Sequence, residues 1–252
     1  MPYVERITEA GKIIYCDKYH TMKYQSKEGT RGQRQKPTKE QMKKANQRAR
    51  TRKLEMEIAA NFEDGDYHIN FGYIRKQGEP YRTKEQMQKD IRKLKEILRK
   101  EYRKRGLEFK YIHVMEIGER GSRHHHMIIN RIDTKILQDA WKKACPEGGT
   151  IHIAPLYSDG DYGKLAEYLI KDTSKKLGTE EALQGKSWCS SKNLKKPKVT
   201  KRIISRSDTF RTDPKPRKGY YIVKESIRSS RLGGDPEYNG FDYLTYKMVR
   251  LE

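Results

Sequence analysis

Hydrophobic and polar residues recur along the chain with periods that predict helices and strands in a definite order. The clearest helix follows Thr83, where a capping-box pattern with Gln86 marks its start and Gly106 fits its end. Its apolar residues recur at three- and four-residue steps. They form one stripe, as expected of a helix packed on a core: Met87, Ile91, Leu94, Leu98 and Tyr102.

Alternating or apolar runs before and after this helix predict the strands of a sheet. We place these strands at residues 67–74, 109–117, 124–129 and 150–156. A short helix over 133–144 and a further helix starting near Asp161 complete the pattern. The order strand, helix, strand, strand, helix, strand predicts an α+β fold with a central, mostly antiparallel β-sheet and flanking helices.

The two ends of the chain are more basic and less regular. The first part, 1–62, is predicted to hold a hairpin over 5–24, a mobile basic loop over 26–37 and a cationic helix from Thr38 to about Phe62. That helix has a capping-box start and a ragged apolar stripe: Met42, Ala45, Ala49, Leu54 and Ile58. Residues 63–177 are predicted to form the functional core. Residues 178–252 are predicted to form a basic extension on or near it, with strands over 201–205, 219–224 and 243–249.

Charge indicates the class of partner. The chain of 252 residues has 56 Lys and Arg against 34 Asp and Glu, a formal net charge of +22, and only 34 % hydrophobic residues. An excess of one sign on this scale favours a polyanionic partner, and nucleic acid is the usual one. Solvated surface charge that serves only solubility is the simpler alternative.

Cysteine usage and hydropathy bear on the compartment. Cys16, Cys145 and Cys189 are odd in number and lack CxxC spacing, so we expect no disulfide framework and a reducing cytoplasm. We also expect no membrane partner, because no apolar run is long enough to span a bilayer and the N-terminus lacks a signal-peptide core.

Three consecutive histidines, 124–126, carry the first candidate chemistry. On a β-strand His124 and His126 point to one face and His125 to the other, because side chains alternate. Two neutral imidazoles side by side are ligands for a divalent metal. Glu116 on the preceding strand is the expected third ligand, and Glu119 in the turn is a less fixed alternative. A solvated loop with incidental histidines is the simpler interpretation of the triplet alone.

A tyrosine among lysines is the second candidate for a catalytic role. On the helix after Asp161, Tyr168 shares one side with Lys164, Lys171 and Lys175. Nearby cations favour the phenolate and can hold a phosphate for attack, so Tyr168 is a candidate nucleophile. Tyr162 at the start of the helix is the rival candidate. The simpler interpretation of Tyr168 is an amphipathic ring that covers the core with its hydroxyl in water.

The triplet followed at a distance by Tyr168-Leu-Ile-Lys171 resembles the two signature motifs of the HUH endonucleases. More narrowly, it resembles the single-tyrosine rolling-circle replication initiators (Rep proteins) of bacterial plasmids and phages. The resemblance covers about 66–175 and the segment 190–197. It implies that His124 and His126 bind Mn²⁺ or Mg²⁺ with a third polar ligand, that Tyr168 is the nucleophile and that Lys171 is its partner. The chain departs from the family at His125, where the family residue is normally apolar, and at 68–71, which match the first family motif only loosely.

The resemblance implies an activity and partners. The chain is expected to nick and rejoin single-stranded or hairpin DNA at a replication origin, through a 5′-phosphotyrosine. A separate helicase and a DNA polymerase are expected partners, since no GxxxxGK[ST] motif occurs. Basic residues near the motifs are expected to bind DNA: Arg123, Lys164, Lys175, Lys192, Lys195 and Lys196. A relaxase or single-tyrosine transposase with the same chemistry, and a non-catalytic basic nucleic-acid-binding protein, remain alternatives.

Overall fold

A computed structural model of the chain describes residues 2–20, 38–75, 77–118, 121–157, 161–176, 178–180, 182–205, 210–230 and 242–251. The strands in chain order are β1 Tyr3–Ala10, β2 Ile13–His20, β3 Tyr67–Tyr73, β4 Tyr111–Ile117, β5 Arg123–Ile129, β6 Gly149–Pro155, β7 Cys189–Ser190, β8 Lys198–Ile204, β9 Tyr220–Ser229 and β10 Tyr243–Arg250. The helices are α1 Lys39–Ala59, α2 Lys84–Lys104, α3 Thr134–Ala144 and α4 Gly163–Lys176.

The chain divides into two compact units. One consists of Asn61–Leu194, and the other combines Met1–Ala60 with Lys195–Glu252. Strands from the first and last segments of the chain therefore share a sheet, in the order β8-β1-β2-β10-β9. The predicted assignment of separate roles to 1–62, 63–177 and 178–252 stays a prediction.

The unit 61–194 has a five-stranded sheet in the order β6-β3-β5-β4-β7. All its neighbouring strands run antiparallel. The elements β3-α2-β4-β5-α3-β6 give the βαββαβ arrangement, in which β5 lies between β3 and β4. The predicted α+β fold with a mostly antiparallel sheet is confirmed.

One face of this sheet forms the hydrophobic core with α2 and α3. The predicted stripe of α2 is buried along its whole length: Met87, Ile91, Leu94, Leu98 and Tyr102. From α3, Leu137, Ala140 and Trp141 join the same core, with Phe71 and Met127 from the central strands. These residues lie at odd-numbered positions of β3 and β5, so the even-numbered positions of both strands face the other way.

The even-numbered face is the one on which α4 packs. The helix contacts β4, and the ring of Tyr168 lies against His68 of β3 and His126 of β5. Ala166, Leu169 and Ile170 are buried on the inner side of α4. The sheet is thus covered by α2 and α3 on one face and by α4 on the other.

The unit of the terminal segments confirms the predicted N-terminal hairpin, with β1 paired to β2 from Ala10–Ile13 outward. Buried Asp17 accepts hydrogen bonds from Arg6 and Arg52 and ties α1 to this sheet. The three predicted C-terminal strands are present as β8, β9 and β10. β8 pairs with β1, β10 pairs with β2, and β9 pairs with β10 at the edge of the sheet. The predicted basic loop 26–37 lies outside the described residues.

The capping boxes predicted at Thr38 and Thr83 are both present. The ragged apolar stripe of α1 does not pack in its first half, where Met42 is 49 % exposed and Ala45 and Ala49 are also exposed. Only Leu54 and Ile58 of that stripe are buried. The widely spaced small residues of the first half give too little apolar surface for a packed face. Among the described residues, no helix is long and apolar enough to cross a membrane.

Candidate metal and nucleophile site

The β4–β5 hairpin holds the three predicted metal ligands on one face of the sheet. Glu116 on β4 lies directly opposite His124 on β5, and His126 follows two residues later. Directly opposed residues of an antiparallel pair point to the same face, and so do residues two apart on one strand. The tight turn depends on Gly121, whose φ of +77° lies in the left-handed region that favours glycine.

The three side chains converge at close range. Glu116 Oε2 lies 3.6 Å from His124 Nε2 and 3.0 Å from His126 Nε2. One ligand atom of each residue lies within 4.8 Å of the other two. Two imidazole nitrogens and a carboxylate oxygen are a donor set that divalent metals accept. Glu119, the alternative third ligand, lies outside the described residues.

The electrostatics of the cluster also suit a cation. Burial alone raises the pKa of Glu116, but the adjacent His124 and His126 outweigh burial and hold that pKa well below its usual range. The carboxylate is therefore charged at neutral pH. His126 Nε2 is buried and makes no hydrogen bond of acceptable geometry, although Glu116 Oε2 is 3.0 Å away. A buried imidazole nitrogen that makes no acceptable hydrogen bond and lies beside a carboxylate fits a metal ligand.

The Tyr168 ring lies directly over this cluster. Its centroid is 5.2 Å from that of His126 and 6.2 Å from that of His68, in edge-to-face contacts. The ring is 52 % exposed, so the phenol is accessible to a polymeric substrate. The rival candidate Tyr162 is only 4 % exposed and lies among the buried residues. The structure therefore brings Tyr168 together with the histidine pair, while the Tyr162 ring is enclosed.

The basic residues predicted to bind DNA differ in their exposure and in the unit to which they belong. Lys164 and Lys171 are exposed on α4, as Tyr168 is. The Lys175 side chain lies outside the described residues. Arg123 is half-buried and, by strand alternation, shares the face of His125 rather than that of the metal ligands. Exposed Lys192 belongs to the unit 61–194, whereas exposed Lys195 and Lys196 belong to the other unit. Their role in DNA binding stays a prediction.

His125 has a structural function of its own on the opposite face. It is fully buried, with Nδ1 3.0 Å from His113 Nε2 and Nε2 2.7 Å from the Tyr73 hydroxyl. Lys95 Nζ lies 3.4 Å from His113 Nδ1. A chain of hydrogen bonds thus runs from Lys95 of α2 through His113 and His125 to Tyr73, along the core face of the sheet.

The ammonium group of Lys95 determines which atom donates in each hydrogen bond of this chain. Burial lowers the pKa of Lys95 to about 8, so its ammonium donates to His113 at neutral pH. His113 then donates to His125, which in turn donates to the Tyr73 hydroxyl. Each ring nitrogen of His113 and His125 therefore either donates or accepts one hydrogen bond. These bonds allow the polar His125 to be buried in an apolar core. This accounts for the departure from the normally apolar family residue at His125.

Some residues of the site could not be found from the sequence. In the sequence His68 belongs only to the loose motif match at 68–71, yet its Nε2 lies 3.2 Å from His126 Nδ1. In the structure His68 and Asn70, two residues apart on β3, face the same side. Only the strand register places that side beside His126, because Asn70 pairs directly with it.

A comparison with known families matches one part of the chain. Residues 75–177 match a family model described as replication-associated protein ORF2/G2P. The match spans α2 to α4 and includes Glu116, His124, His126 and Tyr168, whereas His68 precedes it. It supports a replication-initiator family, a role in replication initiation and DNA binding at an origin. No curated protein and no solved structure matches the chain.

The metal site can be tested by substituting its carboxylate. We expect Mn²⁺ to raise the melting temperature of the protein, because a ligand that binds only the folded state stabilises it. Glu116→Gln removes the negative charge at similar size and is expected to abolish most of this shift in a thermal-denaturation titration. Exposed Glu108→Gln is the matched control and should retain the shift. An equal shift in Glu116→Gln and the unsubstituted protein contradicts the assignment.

The buried histidines predict how stability depends on pH. Burial is the largest cause that lowers the pKa of His68 to about 4, that of His125 to about 3 and that of His113 well below 6.5. Above pH 6.5 these groups are neutral in both states. Below it, only the unfolded chain gains protons, so the free energy of unfolding falls by about 1 kcal/mol per pH unit for each such histidine.

This dependence can be measured by urea denaturation in EDTA between pH 7 and pH 5. His125→Asn should reduce the slope of stability against pH, because one such group is removed. A slope in His125→Asn as steep as in the unsubstituted protein contradicts the account.

Proposed function

We propose that this chain nicks and rejoins single-stranded DNA by transesterification through Tyr168, as the initiator of rolling-circle replication of a plasmid or phage. The observation that carries the proposal is the contact of the half-exposed Tyr168 ring with His126, over the cluster that His126 forms with Glu116 and His124. The match of residues 75–177 to a replication-associated family supports the use of this chemistry in replication.

In this proposal Glu116, His124 and His126 hold Mn²⁺ or Mg²⁺. Held there, the cation would polarise the scissile phosphate and orient it. The exposed Lys171, one helical turn from Tyr168, would stabilise the charge on the phosphate oxygens and on the phenolate. Lys164 on the same helix would contribute backbone affinity that weakens with salt.

The proposed reaction exchanges one ester for another. The Tyr168 oxygen attacks the phosphorus and forms a phosphotyrosine bond while the bond from phosphorus to the 3′-oxygen breaks. The phenolic proton passes to solvent and the departing 3′-oxygen takes up a proton, so the number of phosphoester bonds is unchanged. The free 3′-hydroxyl can prime synthesis by a polymerase, and attack by a 3′-hydroxyl on the phosphotyrosine rejoins the strand.

Exposure favours Tyr168 over Tyr162 as the nucleophile. An attacking phenol must reach a phosphate that enters from solvent, and Tyr162 is enclosed by the core. If only one tyrosine reacts, each protomer performs one transfer at a time, and termination requires a second protomer or a water molecule.

A denaturing gel tests the proposal. Single-stranded oligonucleotides tiled over the DNA around the gene, including its hairpins, are incubated with protein and Mn²⁺. We expect a covalent adduct that EDTA prevents, that Tyr168→Phe abolishes and that Tyr162→Phe retains. Lys171→Ala is expected to slow its formation by about 10²-fold. A label at the 3′ end of the DNA should stay with the protein, and the released 5′ fragment should be extendable by a polymerase.

Two outcomes contradict the proposal in different ways. An adduct that persists in Tyr168→Phe and disappears in Tyr162→Phe reverses the assignment of the nucleophile. Salt-sensitive binding without an adduct on any of these oligonucleotides favours a non-catalytic nucleic-acid-binding protein.

A further inference from the structure

We infer that His68 is a positioning residue that fixes both the metal ligand His126 and the nucleophile Tyr168. The inference rests on the proposed function, because it assigns His68 a role in the same site. Its basis is that one half-buried imidazole contacts two groups that come from different elements, β5 and α4.

The register of β3 against β5 places His68 next to His126. Asn70 pairs directly with His126 and His68 pairs with Ile128, so His68 is the diagonal neighbour of His126 on the same face. The two imidazole planes are 23° apart and their centroids are 5.3 Å apart, so the rings lie edge to edge, as a hydrogen bond between ring nitrogens requires. His68 Nε2 lies 3.2 Å from His126 Nδ1.

This hydrogen bond determines which nitrogen of His126 is available to a metal. His126 Nε2 faces Glu116 and is the buried nitrogen that makes no acceptable hydrogen bond. Ligation through Nε2 requires the ring proton on Nδ1. His126 Nδ1 then donates to His68 Nε2, which accepts. A partner that accepts from the second nitrogen of a ligating histidine fixes its tautomer and ring orientation.

The same imidazole also borders the nucleophile. The Tyr168 ring meets His68 at 82° and His126 at 77°, so the phenol ring stands nearly perpendicular to both imidazoles. A half-exposed tyrosine keeps rotamer freedom that contacts on its buried side reduce. Loss of His68 should therefore loosen both the ligand and the direction of the phenol.

Three substitutions separate this role from a general effect on folding. His68→Leu keeps a bulky side chain but removes the acceptor, whereas His68→Gln offers an amide oxygen that can accept from His126. His152→Leu is the matched control, because His152 also pairs with Asn70 on the same face and is exposed. Circular dichroism and melting temperature in EDTA report whether each variant is folded.

The first measurement is the dissociation constant for Mn²⁺ alone, from the electron paramagnetic resonance signal of the free ion. We expect His68→Leu to raise this constant by about 10- to 100-fold, His68→Gln to restore most of the affinity and His152→Leu to leave it unchanged. The second measurement is the rate of adduct formation at saturating Mn²⁺. Because His68 also contacts Tyr168, His68→Leu should remain several-fold slower even when the metal site is full.

The outcomes distinguish this inference from the proposed function. Unchanged Mn²⁺ affinity in His68→Leu overturns the inference alone, provided that the unsubstituted protein binds Mn²⁺ and forms the adduct. Equal weakening in His68→Leu and His68→Gln overturns the hydrogen-bonding role. If the unsubstituted protein neither binds Mn²⁺ nor forms an adduct, the metal centre, the proposed function and the inference all fail together.

Discussion

The register between β4, β5 and β3 is the constraint on which the rest of the site depends. Side chains alternate along a strand, so a shift of the pairing by one residue would send every ligand to the opposite face. With the observed register, Glu116 stands opposite His124 and Asn70 stands opposite His126. The even-numbered face then carries the polar cluster, and the odd-numbered face carries the core that α2 and α3 cover.

The polar residues of the core face support that register rather than weakening it. His125 and His113 are buried, and such groups are costly unless they form hydrogen bonds. The chain from Lys95 of α2 through His113 and His125 to Tyr73 provides those bonds. A one-residue shift in the register of β5 would break the contacts of His125 with His113 and Tyr73. The same shift would separate the metal ligands, so the network stabilises the register that the metal site requires.

Much of the fold follows from local patterns in the sequence. The stripe of α2, the two capping boxes and the alternation of β3 predict their elements because packing and local hydrogen bonding act over a few residues. The ligands on one strand face follow from the same two-residue period. His68 and the network of His113 and Lys95 could not be predicted, because these contacts depend on which strands become neighbours and in what register. The exposed first half of α1 shows that an irregular apolar pattern does not predict which residues of a helix are buried.

The central claim is that two imidazoles, a carboxylate and a phenol gather around one divalent cation on a single face of the sheet. Anomalous diffraction from crystals of the protein soaked in Mn²⁺ tests this claim most directly. The account predicts a strong manganese peak within bonding distance of Glu116, His124 and His126, with the Tyr168 ring on the same face. A peak bound elsewhere and none between these three side chains, or a Tyr168 ring on the opposite face of the sheet, would contradict it.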